Sequence, residues 1–188
     1  MRIAVFCASS NRIDHKFFEA ARNLGALIGR FGNKLVYGGT NVGLMNEVAV
    51  ATFENGGEVI GIIPRCIQEK GISAGCFCHL MVAADMKERK HLLRENADAF
   101  VALPGGWGTL EEITEVITLK QLGIHRKPIV FLNTSGFYDT FFRFIENIRT
   151  EGFVSGSYDN LYAVVNTAEE VWDYLQNYRL PEMGLKYQ

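Results

Sequence analysis

The stretch DAFVALPGGWGTLEEITEVITLKQL, Asp98 to Leu122, contains a complete strand–loop–helix unit. A small apolar run ending at Leu103 breaks at Pro104 into Gly105 and Gly106, and Trp107, Gly108 and Thr109 precede the first glutamates. The run is continuously apolar rather than alternating, as in a strand covered on both faces. From Thr109 to Leu122 the period becomes helical, with Leu110, Ile113, Val116, Ile117 and, farther on, Ile124 on a stripe expected to face the sheet. Glycines at a helix start favour an anion. Glu111 and Glu112 follow at once, and carboxylates are what an anion avoids.

Working outward, the same alternation recurs. RIAVFCAS, KLVYGG, EVIGIIP, CFCHLMVAA, KPIVFLN and NLYAVVN read as further strands. Between them, residues 14–31, NVGLMNEVAVATFENGG, DMKERKHLLRENA with Asp85 as N-cap, 136–150 and 167–178 read as helices. Thr167 and Glu170 match a capping box. Residues 65–75 are irregular and read as a loop. Strands of this kind alternating with amphipathic helices imply an α/β fold, a Rossmann-like, doubly wound parallel sheet with helices on both faces. No linker, repeat or low-complexity segment divides the chain, so residues 1–188 are expected to form a single nucleotide-binding domain.

The 188 residues suffice to bury one core. A net charge of −2 offers no general field for nucleic acid or an acidic membrane surface, so an anionic ligand must be held locally. Mean hydropathy is +0.03, ordinary for a soluble protein. No stretch approaches the ~20 apolar residues of a membrane span, and MRIAVFCASS is too short for a secretory signal. Four cysteines without a paired framework point to reduced thiols and a cytoplasmic protein. Cys76, Cys78 and His79 lack the second ligand pair of the usual zinc spacings. On an alternating strand Cys76 and Cys78 would share a face as small hydrophobes. Neither a metal nor a cofactor is expected.

In such sheets, ligands bind beyond the carboxyl ends of the strands. CASS (7–10), YGGTNVGLMNE (37–47), ADMKERK (84–90) and PGGWGT (104–109) meet at that edge. Two of these are glycine-rich loops entering helices, a geometry that exposes N–H groups to phosphate. Ser9, Ser10 and Thr109 add hydroxyls, and Arg89 and Lys90 add positive charge. Neither loop fits a P-loop, and YGGTNVG matches a dinucleotide fingerprint only loosely. Glu111, Glu112 and Glu115 cluster within a ~100° arc of their helix. A loop holding a 5′-phosphate with a carboxylate one turn away would place that carboxylate at the sugar. Cleavage of an N-glycosidic bond builds oxocarbenium character there, which a carboxylate stabilises as electrostatic partner, nucleophile or base. Leu119 and Leu122 lie along the glutamate side, where another subunit would cover them. Met45, Met86 and Trp107 are candidates to line a base pocket.

These residues resemble a known family. PGGWGTLEE, read as P-G-G-x-G-T-x-x-E ending at Glu112, is similar to the signature of the Lonely Guy family of phosphoribohydrolases, widely labelled lysine decarboxylase-like. No residue here marks the Schiff-base lysine site that a pyridoxal decarboxylase needs. The resemblance extends to YGGTNVGLMNEVA, ADMKERK and QLGIHRKPIVFLN. It implies a Rossmann-like homodimer that hydrolyses a purine nucleoside 5′-monophosphate, cytokinin riboside monophosphate or AMP, to free base and ribose 5-phosphate. By match to the motifs, Arg89 and Glu112 are the catalytic pair. Lys90 and the loop Gly105, Gly106, Trp107, Gly108, Thr109, Leu110 and Glu111 contact the nucleotide, and Ser9, Gly39, Met86 and Glu115 complete the substrate-binding set. Three positions depart from the family pattern: Lys87 replaces a histidine, Thr40 stands where a third glycine is common, and Asn46 replaces another glycine. They bear on base selection, not on Arg89 or Glu112. A non-catalytic nucleotide-sensing module and transfer of the sugar to another base remain the alternatives.

Overall fold

The computed structural model describes residues 1–154 and 160–180. Strands β1 (Arg2–Phe6), β2 (Lys34–Tyr37), β3 (Glu58–Pro64), β4 (His79–Ala83), β5 (Ala99–Ala102), β6 (Ile129–Leu132) and β7 (Ala163–Val165) form one sheet. Their spatial order is β4-β3-β2-β1-β5-β6-β7, and every pairing is parallel. The order reverses at β1: β2 pairs on one side of it and β5 on the other. The connections leaving β1 and β5 therefore part to opposite faces and open a crevice at the carboxyl edge.

Helices α1 (His15–Arg30), α2 (Gly43–Glu54), α3 (Arg65–Gln68), α4 (Met86–Glu95), α5 (Trp107–Gln121), α6 (Asp139–Thr150) and α7 (Ala168–Asn177) join the strands, with a 3-10 turn at Thr134–Gly136. Alternation along the strands divides the core. Ile3, Val5 and Tyr37 pack with α1, α2 and α7, whereas Ala4, Phe6 and Val36 pack with α4 and α5 and with Tyr138. Asp14 caps α1 by accepting from Lys16 N, Asp85 caps α4 by accepting from Glu88 N, and Thr167 and Glu170 form the expected capping box of α7. Among the described residues no helix is long and apolar enough to cross a membrane.

Several local expectations are corrected. β4 begins at His79, after a turn in which Cys78 N donates to Gly75 O, so Cys76 and Cys78 do not share a strand face. Cys76 is exposed, Cys78 is half-buried, and no cluster of three metal-ligating side chains exists among the described residues. The segment expected to be all loop contains the short helix α3. Helix α5 starts at Trp107, two residues early, because Gly106 supplies the extended N-cap backbone (φ −93°, ψ −152°). Its buried face carries Thr109, Glu112, Ile113, Val116 and Lys120. Glu112 thus lies on the sheet side, whereas Ile124 lies past the helix end and is 66% exposed.

Candidate active site

The crevice at the carboxyl edge holds a cavity of about 430 Å³, walled by the ends of β1, β2 and β3, by the first turns of α2, α4 and α5, and by the 65–75 segment. Its α5 wall has the geometry of a seat for an anion. Leu110 N donates to Gly106 O, but the amides of Trp107, Gly108 and Thr109 have no protein acceptor among the described residues. The first turn of α5 carries no acid. Unpaired amides at a helix start carry the positive end of the helix dipole. The loop before them is pinned from below. Leu103 N donates to Phe6 O (2.9 Å), Ala8 N donates to Pro104 O (3.2 Å), and the buried Tyr138 hydroxyl donates to Leu103 O (2.6 Å). Gly105 leaves room for the Thr109 side chain, since a Cβ there would stand 2.6 Å from Thr109 Cβ.

The second glycine loop does not offer the same seat. At the start of α2, Gly43 N donates to the Asn11 side-chain oxygen (2.8 Å) and Leu44 N donates to Ala8 O (2.9 Å). Its first two helical amides are spent holding the β1 and β2 loops together.

The acids beside the anion seat are each matched by a base from α4. Arg89 donates from Nη1 to Glu112 Oε1 at 2.5 Å and from Nε to Ile62 O at 3.2 Å. Lys90 pairs with Glu111 and reaches Glu115 at 3.6 Å, and Arg94 pairs with Glu115 at 2.9 Å. Two parallel charge rows, one per helix, thus neutralise each other and leave the amide end of α5 free to attract an anion. Arg89 and Glu112 are 7% and 9% exposed, the most buried of these pairs, and both line the cavity. Burial pushes the Glu112 carboxyl above the ordinary carboxylate range, while the Arg89 guanidinium pulls it back. Hydrogen bonding to Glu111 holds the Lys90 ammonium above its usual value.

The cavity brings together Ser9, Met86, Arg89, Gly106, Trp107, Gly108, Thr109, Glu111 and Glu112 of the expected site residues. The others stand behind its walls. Gly39 makes the turn after β2 with φ +73°, Gly105 supports Thr109, and Leu110 packs against the core. Lys90 and Glu115 belong to the charge rows. Trp107 is 89% exposed at the mouth. Of the three departing positions, only Thr40 lines the cavity; Lys87 is exposed on α4 and Asn46 half-buried on α2.

Sequence reasoning placed Cys7 and Gly38 at this edge only within their stretches and missed Pro64, Ile67 and Ile72; all five line the cavity. Burial pushes the Cys7 thiol up, so it presents a protonated, apolar surface. Gly38 is needed for close approach: a Cβ there would lie 2.6 Å from Met45 Sδ and 2.7 Å from Arg89 Nη2. Ile67 and Ile72 carried no periodic signal. The 72–74 backbone is placed by bonds to the β2 loop, Asn41 N to Ile72 O and Ala74 N to Gly39 O, both 2.9 Å.

Comparison with known proteins identifies the family. The family model described as "Possible lysine decarboxylase" matches residues 45–175. The cytokinin riboside 5′-monophosphate phosphoribohydrolase LOG5 of Arabidopsis thaliana is 40% identical over 178 residues, spanning 95% of this chain and 78% of its own. The cytokinin riboside 5′-monophosphate phosphoribohydrolase LOG of Oryza sativa subsp. japonica is 41% identical over 181 residues, spanning 96% and 74%. Among solved structures, the molybdenum cofactor binding protein of Rippkaea orientalis superposes with a TM-score of 0.70 at 20% identity, covering 93% of this chain and 94% of that one. At that identity the likeness concerns the fold alone.

Proposed function

Because the chain belongs to the family whose curated members are named cytokinin riboside 5′-monophosphate phosphoribohydrolases, we propose that it hydrolyses the N-glycosidic bond of a purine nucleoside 5′-monophosphate to free base and ribose 5-phosphate. The observation that carries this reading is the buried Arg89–Glu112 pair in the same cavity as the unpaired amides of α5. A binding site for a nucleotide needs the amides. It does not need a buried carboxylate beside the sugar.

In this reading the phosphate docks on the amides of Trp107, Gly108 and Thr109, with Ser9 on the opposite wall. That places the ribose over Glu112 and the base toward Met45, Pro64 and Met86. As the C1′–N bond breaks, its electron pair leaves with the base. Glu112 stabilises the positive charge that develops on the sugar and accepts the proton of the water whose oxygen bonds C1′. Arg89 balances Glu112 and polarises the departing base. The raised carboxyl suits this work, since a base is most effective when its pKa approaches the working pH.

The chain acts as one nucleotide-binding domain, and a second copy covers the outward side of α5, where Leu122 is 38% exposed beside half-buried Leu119. Free cysteines fit a cytoplasmic setting.

The test is incubation of the pure protein with AMP and with N6-isopentenyladenosine 5′-monophosphate, followed by chromatography for free base. Wild type releases base and Glu112→Gln does not. Nucleotide binding without release from wild type would make the protein a sensing module instead. Appearance of a new nucleoside phosphate when a second base is supplied would make it a transferase.

A further inference from the structure

The cavity's apolar end contains a flexible side chain held by a single hydroxyl. Met45, in the first turn of α2, lines the cavity with Pro64, Ile67, Ile72 and Met86. Its thioether lies over Gly38, in the same space into which Arg89 Nη2 projects. Thr40, 6% exposed, donates from Oγ1 to Met45 Sδ at 3.3 Å. The Thr40 backbone cannot follow the side chain if that bond is lost, because it is bridged to Ser73 and flanked by the Gly39–Ala74 and Asn41–Ile72 bonds. A rigid donor therefore restrains an adaptable acceptor.

Methionine has three rotatable side-chain bonds and fills irregular gaps readily, so an unrestrained Met45 would yield to whatever base enters. A thioether is a weak acceptor, and the Thr40 bond contributes little to folding. Its effect is on the shape of the wall. With the phosphate on α5 and the sugar over Glu112, the wall at Met45 meets the base rather than the reacting carbon.

We propose that Thr40 is a positioning residue that holds Met45 as a fixed wall of the base pocket and thereby sets how large a base the site accepts. This rests on the nucleotide reading of the site above. Thr40 touches neither the scissile bond nor the catalytic pair; it acts through Met45.

The test compares AMP with N6-isopentenyladenosine 5′-monophosphate on wild type, Thr40→Val and Thr40→Ser, measuring kcat/KM by base release and Kd by calorimetry. Thr40→Val keeps the shape and removes the donor. The preference for the larger base over AMP rises about three- to tenfold, as expected for a loosened apolar contact, and the change lies in KM and Kd with kcat retained. Thr40→Ser, which keeps the hydroxyl, restores the wild-type ratio. In a Met45→Leu background, Thr40→Val produces no further change, since the acceptor is already gone. An unchanged ratio in Thr40→Val, a shift toward AMP, or an equal effect in the Met45→Leu background overturns the proposal. Altered Kd ratios without base release from any variant would sustain Thr40's role while refuting hydrolysis. Absence of binding of either nucleotide would refute both.

Discussion

Arg89 and Glu112, 23 residues apart in the chain, meet at 2.5 Å behind a helix terminus whose first amides have no acceptor among the described residues. A pair this buried is costly to break on one side only. Arg89→Ala leaves the Glu112 carboxyl desolvated without its cation, and should destabilise the fold by about 3–5 kcal/mol, measured by urea unfolding at neutral pH.

In the proposed reaction the same pair would set the acid limb of the pH–rate profile. As the base of the proposed reaction Glu112 would work deprotonated, so kcat/KM is expected to fall as pH falls through its pKa. Burial raises that pKa above the ordinary carboxylate value of 4.5 against the pull of Arg89. The limb is expected above that value in wild type, and higher again in Arg89→Lys if the longer, less well-matched pair neutralises Glu112 less. A limb at or below the ordinary carboxylate value would remove Glu112 from the role of base.

Gly105→Ala tests the anion seat. The added methyl would stand 2.6 Å from Thr109 Cβ, and Thr109 is 3% exposed and has no room to retreat. Overpacking of this kind costs about 1–3 kcal/mol. Since the strain falls on the first turn of α5, affinity for the nucleotide and for inorganic phosphate should weaken together. Loss of stability with undiminished phosphate affinity would place the anion elsewhere.

Trp107 offers a direct optical readout. The protein has two tryptophans; Trp107 is 89% exposed at the cavity mouth, whereas Trp172 stacks on Phe31 at 4.2 Å far along the chain. Saturation with AMP should change the emission intensity or wavelength of wild type, and Trp107→Phe should abolish the change without abolishing binding by calorimetry. A signal that survives in Trp107→Phe would mean that the nucleotide does not reach this rim.

Lys120 is expected to lower stability at neutral pH. It is fully buried on α5, its ammonium has no hydrogen-bond partner among the described residues, and it lies over the Tyr178 ring at 5.2 Å. Burial pulls its pKa from 10.5 down to about 8. Below pH 8 the amine is charged in both folded and unfolded chains, and the burial cost is present in full. Between about 8 and 10.5 the unfolded chain binds more protons than the folded one, so stability rises with pH and the cost is relieved. Lys120→Met should therefore stabilise the protein at pH 7 by on the order of 2–3 kcal/mol, and the gain should shrink toward pH 10.5. A gain that does not vary with pH would mean that packing, not charge, accounts for it.

The fold was legible because its signals are local. Continuous apolar strands such as Ala99–Ala102, the stripe on α1, and caps at Asp85 and Thr167 each depend on neighbours within a turn or two. The edge where ligands gather follows from the sheet being parallel. Less legible were the ends of elements. The Cys76–Cys78 segment has strand-like composition but lies outside the paired part of β4, which begins where His79 meets Ile60.

What the sequence by itself determined was the alternation of elements, the family motif and the residue types that meet at the carboxyl edge. Tertiary structure decided which of them do what. Periodicity grouped Glu111, Glu112 and Glu115 in one arc, but α5 is rotated so that Glu112 turns inward to Arg89 while Glu111 and Glu115 meet Lys90 and Arg94. The two glycine loops looked alike as sequences, yet Asn11 and Ala8 accept from the first two amides of α2, whereas those of α5 have no acceptor among the described residues. Thr40 gained a role only because the 72–74 backbone clamps it beside Met45. In each case the deciding partner lies more than a helical turn away in sequence, where local periodicity carries no information about which side chain will be there.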